Sequence, residues 1–154
     1  MNIIQYFTAL LSAIIQFLSQ TKEIQLPLKT SGTIIVDSKN LPIHLHCVSW
    51  SGAHMQDYLT FGLEYQPVTY LVSMIKKARF NCVRLEFSAE MVLKNPIVNP
   101  DLLKPNPNLI GKTAIQIYQY IVDQLTSQKI MVILDYHVIV VKIDVGCQMV
   151  LQSV

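Results

Sequence analysis

Three β-rich runs, at residues 41–48, 81–87 and 130–134, alternate with two stretches of helical period, and no other feature constrains the chain as much. Between the first two runs, Val68, Leu71, Val72, Ile75 and Ala78 recur at three- and four-residue intervals, and Pro67 suits a first helical position. Between the last two, Thr113 and Gln116 have capping-box spacing, and Ile117, Tyr118, Ile121, Val122 and Leu125 form one apolar face. Strand, helix, strand, helix, strand is the order of a parallel α/β sheet. The run at residues 130–134 (IMVIL) is continuously apolar, which predicts a strand buried on both faces. Upstream, residues 33–36 and 41–48 flank Asp37, Ser38, Lys39 and Asn40, which predicts a hairpin leading into the first sheet strand. Residues 88–111 contain Pro96, Pro100, Pro105 and Pro107 and read as one long loop. After the first strand, Ser49-Trp50-Ser51-Gly52-Ala53 has a single glycine and no phosphate-binding turn, so a barrel is favoured over a doubly wound sheet.

The composition agrees with one buried core. Of 154 residues, 51% are hydrophobic and only 14% charged, which excludes a disordered or low-complexity chain. The formal charge is +2, and the densest basic cluster is Lys76, Lys77 and Arg79, too thin to neutralise a run of phosphates; nucleic acid is not an expected partner. Cys47, Cys82 and Cys147 have neither zinc-ligand spacing nor the look of a disulfide framework. Residues 1–18 are free of charge and largely apolar, and residues 1–22 are read as a signal peptide or signal-anchor. This predicts a secreted protein, with membrane contact only where the segment stays uncleaved.

In parallel α/β folds the carboxyl ends of the strands carry the chemistry. Here they present Ser49-Trp50-Ser51, then Arg84, Glu86 and Ser88, then Asp135-Tyr136-His137. Arg84 lies inside an apolar strand, where a guanidinium must be paired or must face a polar cavity. It is either a packing ion pair or a cation orienting a carboxylate in an active site. His137 is a candidate for contact with substrate hydroxyls or for proton transfer, and Trp50 for a sugar-stacking platform or a core aromatic. Glu86 and Asp135 could form a pair of glycosidase carboxylates, or Glu86 could simply bind Arg84. His44 and His46 share a face, but no third metal ligand accompanies them, and neither a metal nor a cofactor is expected. No GxSxG, HExxH or P-loop motif occurs.

Four ordered segments resemble glycoside hydrolase family 5, the cellulase-like enzymes. Cys47-Val48-Ser49-Trp50-Ser51-Gly52 is similar to the family's Gly-Val-Asn-Trp-Phe-Gly, and Phe80-Asn81-Cys82-Val83-Arg84-Leu85-Glu86-Phe87-Ser88 to its Phe-Asn-x-Val-Arg-Leu-Pro-Phe-Ser. Asn106-Pro107-Asn108-Leu109-Ile110-Gly111-Lys112-Thr113 resembles Asn-Pro-x-Leu-x-Gly-x-Thr, and Val132-Ile133-Leu134-Asp135-Tyr136-His137 resembles the ending of the third strand. The resemblance implies a secreted (β/α)8 barrel that cleaves β-linked polysaccharide such as cellulose or β-glucan with retention. It makes Arg84 the supporter of the nucleophile and His137 a sugar contact in the cleaved subsite. Ser49 in place of Asn, Glu86 in place of Pro, and Ala78-Arg79 where Gly is common depart from the pattern.

A retaining mechanism needs two carboxylates about 5 Å apart, and a full barrel generally takes ~250 residues. The family's acid/base and nucleophile glutamates follow later strands, and nothing in residues 138–154 resembles either context. The expected organisation is therefore the hairpin and first three strands of a barrel over residues 31–137, then a tail at 138–154. No catalytic residue is assigned, the chain alone is expected to be inactive, and the partner is a polysaccharide or oligosaccharide. The alternative is a non-catalytic carbohydrate-binding protein that uses Trp50.

Overall fold

The computed structural model describes Gln5 and residues 24–139, so the segment at residues 1–22 apart from Gln5, and the 138–154 tail apart from Val138 and Ile139, lie outside the described residues. The chain divides into two compact units, Met1–His44 and Leu45–Val154.

In the first unit, β1 (Lys29–Ser31) and β2 (Ile34–Val36) pair antiparallel around a Gly32-Thr33 turn, with Gly32 at a φ of 59°. This corrects the expected pairing of residues 33–36 with 41–48. On that side contact is limited to the Val36–Pro42 bridge and the Ile43 N–H donated to the Ile35 carbonyl. Pro42 has no N–H with which to extend a ladder. Asp37, Ser38, Lys39 and Asn40 do form a turn: Asp37 Oδ1 accepts the N–H groups of Lys39 and Leu41, each at 2.9 Å.

The second unit holds a three-stranded sheet in the order β3 (Cys47–Trp50), β4 (Cys82–Ser88), β5 (Met131–Val138), all parallel. Helix α1 (Val68–Lys77) links β3 to β4, and α3 (Ala114–Ser127) leads into β5. Val68 and Val72 of α1 and Ile117, Ile121 and Leu125 of α3 pack with Val83 and Leu85 of β4 in one core. The capping box of α3 is formed, with Gln116 N–H donating to Thr113 Oγ1 and Thr113 N–H to Gln116 Oε1.

Pro67 is the N-cap of α1 and supplies no side-chain cap. The cap comes from Asn106, buried to 3% exposure, whose Oδ1 accepts the Val68 N–H at 2.9 Å while its Nδ2 donates to the Leu63 and Gln66 carbonyls.

Three expectations need correction here. Residues 88–111 are not all loop: Ser88 Oγ accepts the Met91 N–H and starts α2 (Ala89–Lys94), and two 3-10 turns follow at Pro100–Leu103 and Pro107–Leu109. The prolines punctuate the segment only after Lys94, leaving Ala-Glu-Met-Val-Leu-Lys free to coil. Strand β5 is not buried on both faces: Ile133, Leu134 and Tyr136 are exposed, because among the described residues it is an edge strand. The cysteines, finally, do form a disulfide. Cys47 and Cys82 are register partners on β3 and β4, and their side chains are joined.

Among the described residues no helix is long and apolar enough to cross a membrane.

Candidate functional site

Register partners in a parallel sheet share a face, and residues two apart on a strand do the same. Ser49 pairs with Arg84 and Arg84 with Ile133, while Glu86 pairs with Asp135. One face of the sheet therefore carries the polar row Ser49, Arg84, Glu86 and Asp135, and the opposite face carries Val83 and Leu85 toward the helices. The apolar residues that bury one side of β4 are the reason its other side can be polar.

Arg84 is the hub of this row. Its Nη2 lies 2.8 Å from Asp135 Oδ2 and 3.4 Å from His137 Nδ1, and its Nη1 lies 3.2 Å from Glu86 Oε1 and 3.5 Å from Ser49 Oγ. The Glu86 side chain is 5% exposed, whereas those of Arg84 and His137 are 41% and 38% exposed. A buried carboxylate thus anchors a half-open guanidinium, which is the pairing a buried charge requires. Asp135 Oδ2 also lies 2.9 Å from His137 Nδ1 and fixes that ring. Glu86 and Asp135 are both counterions of Arg84.

A further residue, His54, was missed in the sequence. Just past β3 the chain turns at Gly52, whose φ is 119°. A Cβ there would stand 2.4 Å from Phe61 N and 2.6 Å from Leu59 O, so only glycine admits this close return of the loop. The turn brings His54 Nδ1 to 3.3 Å from Glu86 Oε2, without the alignment of a hydrogen bond, and its ring to 4.7 Å from that of His137. Ser51 Oγ donates to the same Glu86 oxygen at 2.8 Å. Burial holds the His54 imidazole below the ordinary histidine value; Glu86 and Asp135 oppose this, and His137 and Arg84 reinforce it. The usable signal was position, since the loop after a parallel strand's carboxyl end is where site residues gather.

Trp50 is not brought to this row. It pairs in register with Leu85, packs against the core, and donates its Nε1–H to the Phe61 carbonyl at 2.8 Å, tying down the same loop. Tyr118 backs the site from α3: its hydroxyl donates to the Leu85 carbonyl, and burial together with Asp135 and Glu86 pushes its ionisation well above the usual tyrosine value. His46 donates its backbone N–H to Asn81 Oδ1 and its ring lies by Phe80. The metal-compatible side chains that come together are instead His54, Glu86 and His137, whose ligand atoms lie within 4.8 Å of one another.

The arrangement offers an exposed guanidinium and imidazole above a buried carboxylate, donors suited to the hydroxyls of a neutral polar ligand.

Comparison with known proteins follows the same residues. The family profile described as cellulase (glycosyl hydrolase family 5) matches residues 36–149. A glycosyl hydrolase 5 family protein of Chamaecyparis obtusa is 32% identical over 146 residues, covering 84% of this chain and 26% of that protein. An endoglucanase of Paenibacillus polymyxa is 27% identical over 110 residues, covering 70% and 27%. Among solved structures, an endocellulase of Pyrococcus horikoshii in complex with cellotetraose superimposes with a TM-score of 0.67 at 28% identity, over 75% of this chain and 32% of that one. The chain spans about a quarter to a third of the length of the relatives it matches.

Proposed function

Because the chain belongs to the cellulase family, glycosyl hydrolase family 5, we propose that its three parallel strands are the first three of a (β/α)8 barrel and that the Arg84 row is part of a β-glycan-binding cleft. In this reading the whole protein is a retaining glycoside hydrolase acting on a β-linked polysaccharide, and Arg84 and His137 are substrate-side residues. In this reading the two catalytic carboxylates belong to the part of the relatives that this chain does not span, because nothing in residues 138–154 resembles the context of either family glutamate. The Pyrococcus horikoshii relative, whose structure holds cellotetraose, makes a cello-oligosaccharide the substrate to test first.

The observation that carries the reading is the Arg84, Asp135 and His137 cluster at the carboxyl ends of parallel strands, half-open to solvent. The Cys47–Cys82 disulfide supports secretion, because such bonds persist in oxidising compartments. The test is isothermal titration of the 154-residue chain with cellotetraose, beside Arg84→Ala and His137→Ala. Saturable binding that both variants weaken is expected, and binding indifferent to both would sink the assignment.

A second reading is a non-catalytic carbohydrate-binding protein, favoured by the commitment of both strand-end carboxylates to one guanidinium. Release of reducing ends by the chain carrying the remaining strands separates the two readings, since only the first predicts it.

A further inference from the structure

The Glu86 carboxylate is shared unequally. Oε1 faces Arg84, whereas Oε2 accepts the Ser51 hydroxyl and faces His54 Nδ1. That nitrogen is buried, and the approach to Oε2 lacks hydrogen-bond alignment, so its polar capacity is unused among the described residues. Two ligands on a tetrahedral zinc with bonds of ~2.0 Å stand about 3.3 Å apart. His54 Nδ1 and Glu86 Oε2 are separated by 3.3 Å.

We propose that His54, Glu86 and His137 form a binding site for a divalent transition-metal ion, with zinc as the ion of matching chemistry. Two imidazoles and one carboxylate are a borderline donor set that suits zinc over magnesium or calcium, which take oxygen ligands. Asp135 supplies the outer support: its Oδ2 holds His137 Nδ1 at 2.9 Å and leaves Nε2 as the ligating atom, the usual carboxylate–histidine arrangement behind a metal. Charge balance allows the ion, because Arg84 offsets only one of the two carboxylates around it. One ring nitrogen of each histidine and a Glu86 carboxylate oxygen lie within 4.8 Å of one another, and the half-exposed His137 ring makes the remaining closure. The inference stands apart from the saccharide reading and is tested without sugar.

The experiment is titration of zinc chloride into the full chain in a Cys147→Ser background, with cobalt absorption as a second readout of ligand geometry. One zinc per chain is expected, weakened at least tenfold by His137→Ala and by Glu86→Gln, and by roughly tenfold in Asp135→Asn through the lost outer support. His137 is exposed, so its variant tests the site even where a His54 variant fails to fold. His44→Ala/His46→Ala should bind as the parent does. No saturable binding, or binding lost in the His44/His46 variant and kept in His137→Ala, overturns the proposal.

Discussion

Arg84 Nη2 lies 2.8 Å from Asp135 Oδ2, a bond between neighbouring parallel strands. The same guanidinium reaches Glu86, which is almost fully buried, and His137, which is not. Breaking a buried ion pair costs ~3–5 kcal/mol, but Arg84 is 41% exposed and water replaces part of its role. Arg84→Ala should therefore lose roughly 1–2 kcal/mol in urea denaturation. Adding Glu86→Gln should recover part of that loss, since a buried amide tolerates the missing cation better than a carboxylate does. Purely additive losses would show that the two side chains are not coupled.

His54 gives the site a pH dependence of predictable sign. Its folded-state ionisation lies below the ordinary value of 6.5, with burial the leading cause and Glu86, His137, Asp135 and Arg84 the titratable groups around it. The neutral ring is what the fold accepts. This contribution is complete above the unfolded value and is lost as pH falls below it, because the unfolded chain takes up a proton that the folded chain resists. Urea midpoints should drop between neutral pH and the acid side of the histidine range, and the drop should be smaller in His54→Gln. An equal drop in both proteins would assign the slope to other groups.

Much of the frame was legible in the sequence, and what was not has physical causes. Strand β4 was readable because a parallel strand between two others must be apolar on its helix side, and α3 because its capping box is local. Arg84 was readable because a cation inside an apolar strand has to be explained. His54 was not, since its place depends on the Gly52 turn folding a loop back over the strand end. The Asn106 cap was invisible to a search for local capping, as it acts 38 residues from Val68. Helix α2 has six residues, too few to display a period. The disulfide depended on strand register, which spacing alone does not give.

That disulfide closes a loop with a sequence separation of 35 between Cys47 and Cys82. The loop-entropy relation assigns such a closure roughly 3–4 kcal/mol, acting through the unfolded chain. Reduction, or the double variant Cys47→Ser/Cys82→Ser, should lower the urea midpoint by a matching amount, and peptide mapping without reductant should recover the two cysteines linked. A midpoint indifferent to reductant would remove the bond from the stability of the fold.

Asn106 carries the most testable packing interaction because it serves three backbone groups at once. It accepts from Val68 at the start of α1 and donates to the carbonyls of Leu63 and Gln66, which lead into that helix. The residue is 3% exposed, so water cannot replace what a substitution removes. Leaving buried donors or acceptors unpaired costs ~1–3 kcal/mol each, and Asn106→Ala should lose about 2–4 kcal/mol after relaxation of the loop. Asn106→Asp separates the roles: it keeps the acceptor for the Val68 N–H but turns a carboxylate oxygen toward two carbonyls. It should be no more stable than the alanine variant, whereas a side chain acting only as a helix cap would leave it near the parent. Hydrogen exchange at the Val68 amide should quicken in Asn106→Ala before the rest of α1 responds, and unchanged protection there would show that α1 starts without Asn106.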